Sequence, residues 1–251
     1  MKILDVKIQN LTEKQAKRKV AKFLNMPKTQ TIFTPNPEML VAAHKDQYFK
    51  DILNEADLNI PDGFGIRLWA KEKVHRITGV DFFEEVCSLA EEKDKSVYLL
   101  GSGSEKVLAG VEQKLKKNFP NLRIAGKHIG SKIAFENTEY GKVLDLDEAE
   151  NEKIIDEIID AAPDVLFVAL GHEKQEKWIY KYKEDLPSVK LAMGIGGTFD
   201  FYSGKVRRAP KWMRRIGMEW FFRLITQPWR VKRIFTALVV FSWLVNFSKE
   251  K

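Results

Sequence analysis

The sequence predicts an α/β protein, a mainly parallel sheet flanked by helices, followed by a helical C-terminal appendage that binds a membrane. Two observations carry the first part. Short apolar runs of strand character alternate with longer runs of helical periodicity, as βαβ units require, and 251 residues with 44% hydrophobic content suffice for one large packed core. A third observation separates the appendage. Residues 204–251 hold twelve Lys/Arg against two acids, so the net +7 of the chain divides into about −3 for residues 1–203 and about +10 for the rest.

The elements follow in order along residues 1–203, the predicted α/β domain. Thr12 and Gln15 have capping-box spacing, which starts a first helix running toward Leu24. Residues 31–34 form a strand, and Pro35-Asn36-Pro37 turns the chain into a helix carrying Met39, Leu40 and Ala43. A short extended segment at 58–62 reaches Gly63. Cys87 sits in the apolar-periodic run of Phe82, Phe83, Val86 and Leu89 and reads as a buried helix residue. Residues 97–101 are a buried strand, and 104–117 a helix whose apolar positions Val107, Leu108, Val111 and Leu115 recur at helical spacing. Strands at 123–129, 165–170 and 191–195 complete the set, with an acid-rich helix start at 145–157 between the first two.

In such a Rossmann-like sheet the ligand crevice lies beyond the carboxyl ends of the strands. Four segments fall on that rim: Thr34-Pro-Asn-Pro-Glu38, Ile60-Pro-Asp-Gly63, residues 171–176, and Gly194-Ile-Gly-Gly-Thr-Phe-Asp200. From position alone Asp62 reads as a turn aspartate capping the next helix; its functional reading is a general base that accepts a hydroxyl proton. Thr34 and Asn36 read as caps of the helix after Pro37. Gly101-Ser-Gly103 lacks the full dinucleotide spacing and is weak evidence for a phosphate site. Asp145-Leu-Asp147 has the form of a metal-binding D-x-D but stands at a helix start away from the rim, and the four histidines show no zinc spacing and read as ordinary surface or core residues.

Composition narrows the setting. A single cysteine supports neither a disulfide framework nor a cysteine metal site, which suits the cytoplasm. Charged residues throughout the first twenty positions argue against a secretory signal. The longest apolar run, 234–247, would span about 21 Å as a helix, short of the ~30 Å hydrocarbon core, so it is expected to lie on a membrane or pack on the body. The appendage carries Trp212, Trp220, Trp229 and Trp243 among its cations, the composition of a membrane-interface element, with Phe241, Trp243 and Leu244 expected to face lipid. Arg223, Arg230 and Arg233 fall at i, i+7 and i+10, one face if a helix continues or restarts at Pro228, and Glu219 stands where it could orient Arg223.

Taken together, Thr34-Pro-Asn-Pro-Glu38, Pro61-Asp-Gly63, Arg76-Ile-Thr-Gly-Val-Asp81, Lys174-Gln-Glu-Lys-Trp178, Gly194-Ile-Gly-Gly-Thr-Phe-Asp-Phe201, Arg208-Ala-Pro210, Glu219-Trp-Phe-Phe-Arg223 and Pro228-Trp-Arg230 resemble the WecG/TagA/CpsF family, glycosyltransferase family 26. One departure is visible: the family usually has a proline before Lys-Gln-Glu, where this chain has Glu173. The resemblance implies transfer of N-acetylmannosamine from a UDP donor to N-acetylglucosaminyl-diphospho-undecaprenol with inversion, a step of wall teichoic acid synthesis in Gram-positive members. UDP-N-acetylmannosaminuronic acid and UDP-glucose are the alternative donors. Carried over residue by residue, Asp62 matches the base. Thr34, Asn36, Arg76, Gln175, Gly196 and Gly197 match substrate-binding positions, and Arg223, Arg230 and Arg233 match appendage arginines directed at diphosphate. No metal and no other cofactor is implied. The resemblance places the enzyme peripherally on the cytoplasmic face of the membrane, with an anionic surface and no nucleic acid as partner, and leaves a homo-oligomer off the membrane open.

The residues support that mechanism at two points. Without a plausible metal motif the leaving charge must be met by arginine and backbone donors, and a lipid-bound acceptor needs a site near the membrane surface. Two other classes compete: a nucleotide-cofactor oxidoreductase, opposed by the incomplete glycine fingerprint, and a nucleic-acid-binding protein, opposed by the apolar 234–245 segment.

Overall fold

The computed structural model describes residues 1–70 and 74–247; Lys249, Glu250 and Lys251 of the basic tail lie outside them. A small hairpin, β1 (Lys2–Ile3) and β2 (Val6–Lys7), leads to α1 (Glu13–Phe23). That helix begins on the expected capping box: the Gln15 N–H donates to Thr12 Oγ1 at 3.3 Å and the Thr12 N–H to Gln15 Oε1 at 2.9 Å. Next come β3 (Gln30–Phe33), α2 (Pro37–Lys45), α3 (Gln47–Glu55), β4 (Leu58–Asn59), α4 (Phe64–Trp69) and α5 (Gly79–Glu92). β5 (Ser96–Gly101), α6 (Glu105–Asn118) and β6 (Arg123–His128) precede a second hairpin, β7 (Ile133–Asn137) and β8 (Lys142–Leu146). The body closes with α7 (Glu148–Ala161), β9 (Val165–Ala169), α8 (Lys174–Tyr182), β10 (Leu191–Gly194) and α9 (Thr198–Tyr202).

Six strands form one parallel sheet in the order β4-β3-β10-β9-β5-β6. The central strands β5, β9 and β10 are buried throughout, as expected when helices cover both faces. Alternation sorts their side chains. Val97, Leu99, Val165, Phe167, Leu191 and Met193 enter the core under α1, α5, α6 and α9. Tyr98, Leu100, Leu166, Val168 and Ala192 enter the opposite core under α2, α3, α7 and α8. At the end of β5 the chain turns with φ +112° at Gly101, where a Cβ would stand 2.6 Å from the Ala169 carbonyl. Only glycine fits that approach.

Several elements escape the sequence patterns, among them the two hairpins, α3, α8 and α9. The β7–β8 ribbon is half exposed and mixes charges with apolar residues, so no clean alternation marks it. Its place is set by a distant residue. Lys177, fully buried on α8, donates to Asp46 Oδ2 and to the Lys142 carbonyl, both at 2.7 Å, tying the ribbon to the start of α3. The ribbon also corrects the D-x-D reading: Asp145 lies in β8, and only Asp147 is at a helix start, where its Oδ1 accepts the Glu150 N–H at 3.0 Å. Among the described residues no cluster of His, Cys, Asp or Glu could hold a metal ion.

Beyond the body run α10 (Lys211–Arg215), α11 (Glu219–Thr226), a 3-10 turn (Pro228–Arg230), α12 (Val231–Phe235), a π-helical turn (Thr236–Val240) and α13 (Phe241–Phe247). No described helix is long and apolar enough to cross a membrane. The segment from α12 to α13 has two faces. Phe241 and Val245 are buried in the core beside α2, whereas Phe235, Val239, Trp243 and Phe247, spaced by four residues, are exposed. Phe241 therefore faces the body and not lipid, because the helical turn that exposes Trp243 points Phe241 inward. Leu244 is half-buried against the same core.

Candidate active site

A cavity of about 950 Å³ opens at the carboxyl end of the sheet, and each of the six strands sends a following loop to its wall. Thr34 and Asn36 come after β3, Asp62 after β4, Ser102 and Gly103 after β5, Ile129 and Gly130 after β6, Gly171 and His172 after β9, and Gly196 and Gly197 after β10. The tail closes the cavity with Arg208, Glu219, Arg223, Arg230 and Arg233. Ser102 and Gly103 thus join the site although their glycine spacing alone is a weak signal.

Asp62 is half-buried and does not cap the helix after it: the N-cap of α4 is Gly63, with no side-chain cap. Its backbone N–H donates to the Pro35 carbonyl at 2.9 Å, and its Oδ2 accepts only a long bond, 3.4 Å, from the Gly79 N–H. Gly79 is where three side chains converge. A Cβ there would stand 3.5 Å from Thr34 Oγ1, 3.8 Å from Asp62 Oδ2 and 3.9 Å from Thr198 Oγ1. Burial raises the Asp62 pKa above the ordinary carboxylate range, Arg76 and Arg223 opposing and Glu219 adding to the rise. A weakly hydrogen-bonded carboxylate of raised basicity, open to a cavity, is equipped to accept a proton.

Asn36 serves both readings: its Oδ1 accepts the Met39 N–H at 3.1 Å as the cap of α2, and the residue also lines the cavity. Gln175 is buried on the first turn of α8, with its Oε1 accepting the Gly196 N–H at 2.9 Å. Gly196 has φ +54°, the left-handed turn that aims its N–H back at α8. Arg76 is not among the residues lining this cavity. It donates to Glu219 Oε2 at 3.1 Å and to the Arg214 carbonyl at 3.3 Å, and it reaches the site through Glu219, whose Oε1 accepts Arg223 Nη2 at 2.7 Å. Glu219 orients Arg223 as its spacing predicts. Arg76 on one side and Arg223 on the other hold its carboxylate pKa down against burial.

The three tail arginines do not lie on one continuous helix. α11 ends at Thr226, Gln227 breaks it with φ −140°, and the chain restarts at Pro228. They converge nevertheless. Arg233 grips Glu38 with two bonds, 2.6 and 3.0 Å, and its Nη2 also donates to His172 Nδ1 at 3.0 Å. Arg230 donates to Gln227 Oε1 at 3.1 Å and has no carboxylate partner among the described residues. Burial and the neighbouring Arg233 and Arg223 push its pKa down to about 10. Arg230, set beside two other arginines with no carboxylate of its own, is a cation that an entering anion would stabilise.

Four participants carry no role in the sequence patterns. Arg208 holds Asp81 through bonds of 2.6 and 3.0 Å and donates to Thr78 Oγ1 at 2.8 Å, fixing the loop that ends at Gly79. Glu38 and His172 anchor Arg233. His172 is therefore a cavity residue, not an ordinary surface or core histidine, and burial lowers its pKa so that neutral Nδ1 can accept from the arginine. Thr198 completes the group around Gly79. Glu38, Thr198 and Arg208 lie in the motifs at 34–38, 194–201 and 208–210 and His172 in the rim segment 171–176, but partners lying up to 195 positions apart cannot be matched by spacing.

Comparison with known proteins places the chain among relatives. The family model described as glycosyl transferase WecG/TagA/CpsF family matches residues 1–251. Among similar proteins is the N-acetylglucosaminyldiphosphoundecaprenol N-acetyl-beta-D-mannosaminyltransferase of Bacillus subtilis (strain 168), 39% identical over 207 residues, covering 81% of this chain and 74% of that protein. The protein of the same name from Bacillus spizizenii is 34% identical, covering 84% and 77%. That from Staphylococcus aureus (strain NCTC 8325 / PS 47) is 28% identical, covering 99% and 93%. With a family match along its whole length and a relative 39% identical over 81% of it, the chain belongs to the WecG/TagA/CpsF family and is a glycosyltransferase.

Proposed function

We propose that the protein transfers N-acetylmannosamine from a UDP donor to N-acetylglucosaminyl-diphospho-undecaprenol, inverting the sugar to give a β-linked lipid disaccharide for wall teichoic acid synthesis. One observation carries the reading: a carboxylate of raised basicity and three tail arginines share one cavity. The names of the Bacillus and Staphylococcus relatives support this choice of transferred sugar and acceptor.

In the proposed step Asp62 accepts the proton of the acceptor hydroxyl as that oxygen attacks C1 of the donor sugar. The C1–O bond to the diphosphate breaks on the opposite face, and UDP departs with the electron pair. Arg223, Arg230 and Arg233 meet diphosphate charge, the task that elsewhere falls to a metal ion. Thr34, Asn36, Gln175, Gly196 and Gly197 shape the sugar and nucleotide positions, and Arg76 steadies Arg223 through Glu219.

The protein works as a peripheral enzyme on the cytoplasmic face of the membrane. Eleven of the fourteen exposed large apolar side chains among the described residues fall between 212 and 247, which favours a lipid surface as their partner over solvent. The experiment is incubation with a panel of UDP-sugars and a short-chain lipid diphosphate acceptor, with the product identified by mass. A product carrying one added N-acetylhexosamine from UDP-N-acetylmannosamine alone, formed equally in EDTA, is the expected result. Transfer only from another donor, or transfer that chelation abolishes and Mg²⁺ restores, overturns the donor or the metal-free part respectively.

A further inference from the structure

We infer that Glu176 is a positioning residue for the donor site, acting through Gln175 on the turn at Gly196 and Gly197. Gln175 and Glu176 are adjacent on α8, and both are buried. Glu176 Oε1 accepts Gln175 Nε2 at 2.7 Å, and Gln175 Oε1 accepts the Gly196 N–H at 2.9 Å. The chemistry of the two ends fixes the middle. The Gly196 N–H can only donate, and Glu176 Oε1 accepts from the Gln175 amino group although burial lifts the Glu176 pKa to about 7, so the Gln175 amide has one orientation that satisfies both. Its amino group must point to Glu176 and its oxygen to Gly196.

The relay is built against the sheet. A Cβ on Gly194, the last residue of β10, would stand 3.0 Å from Gln175 Nε2 and 3.2 Å from Glu176 Oε1, so the strand end leaves room for these two groups and little else. Beyond it the turn is held from its other side by Thr198, whose Oγ1 donates to the Ile195 carbonyl at 2.6 Å. Gly196, Gly197 and Thr198 then form part of the cavity wall. A hydrophobic residue would fill the place of Glu176 at lower cost: the other carboxylate oxygen, Oε2, is buried without a hydrogen-bond partner. Retaining a carboxylate there follows from the orientation it imposes on Gln175.

The role rests on the reading of this cavity as the nucleotide-sugar site, and the test separates the two. Glu176→Gln is isosteric, but its amide can present either oxygen or amino group, so Gln175 is free to turn its own amino group toward the Gly196 N–H. Amide hydrogen exchange in the peptide spanning 194–199 should rise about tenfold in Glu176→Gln, about as much in Gln175→Ala, and no further in the double variant. UDP affinity, measured by calorimetry on the full chain, should fall about tenfold with the same non-additivity, while the melting temperature of Glu176→Gln does not drop. Unchanged exchange at Gly196, or effects of the two substitutions that simply add, overturns the relay. Faster exchange with unchanged UDP affinity shows a relay that does not serve the donor. If UDP fails to bind the unaltered protein, the nucleotide-sugar reading falls, and the exchange measurement still decides whether Glu176 orients Gln175.

Discussion

The sheet body and the tail from 204 onward treat apolar and charged residues in opposite ways. In the body the strands bury Val, Leu, Ile and Phe on both faces, and acid–base pairs such as Lys17–Glu85, Lys116–Glu112 and Lys181–Glu148 lie at the surface, the buried Lys177–Asp46 pair excepted. In the tail Trp212, Trp229, Trp243 and Phe247 face outward, while Arg223 and Arg230 face inward to the cavity. The difference teaches that the tail suits the two neighbours proposed for it, an apolar surface against its outward aromatics and an anion against its inward arginines. The cavity draws four arginines, Arg208, Arg223, Arg230 and Arg233, from the tail and two lysines, Lys132 and Lys174, from the body.

Truncation after Ser203 tests the dependence most severely. Transfer should be abolished, since no tail arginine remains, and the truncated body should leave anionic vesicles, where each juxtamembrane cation contributes about 1 kcal/mol. The structure adds a consequence: losing Phe241 and Val245 bares the core beside α2, so the melting temperature should fall as well. Retained transfer by the truncated chain would break the comparison outright.

Replacing Arg223, Arg230 and Arg233 together by Gln separates the inner face of the tail from the outer one. Turnover should drop by roughly 10³ or more, given that a single transition-state donor is commonly worth 10² to 10³. Vesicle sedimentation should change far less, because the outward aromatics remain. Loss of vesicle binding with full activity on a soluble acceptor would make these arginines membrane anchors.

Asp62→Asn probes the body's own contribution. Turnover should fall by roughly 10², with UDP binding kept. The pH profile gives the sign: the base works ionised, so the activity of the unaltered enzyme should fall as pH drops through a value above the ordinary carboxylate range, in the direction burial pushes Asp62. That acidic limb should be missing in the residual activity of the variant. Near-normal turnover would leave the cavity without its base.

The smallest effects come from two aromatics on one short helix. Phe241→Ala should cost about 3–5 kcal/mol of stability by denaturant titration, the usual cost of emptying a buried aromatic site. Trp243→Ala should leave stability within about 0.5 kcal/mol and weaken vesicle binding instead. Equal effects on both readouts would erase the distinction between the two faces of α13.

Much of this molecule was legible in its sequence because the signals are local. Strand burial reads from runs such as Val165 to Ala169, the start of α1 from the Thr12 and Gln15 pair, and the tail's dual character from tryptophans spaced among arginines. Asp62 stood out only through its motif, since position favoured a capping role that α4 does not use. The tertiary structure alone decided what depends on long-range pairing. It set the β7–β8 ribbon through buried Lys177, turned Phe241 inward, moved Arg76 behind Glu219, and recruited Glu38, His172 and Arg208 to hold the arginines and the Gly79 loop. The physical reason is common to all of these. Periodicity and capping are fixed within a few residues of chain, whereas a salt bridge or a packed aromatic depends on which distant surface the completed sheet brings against it.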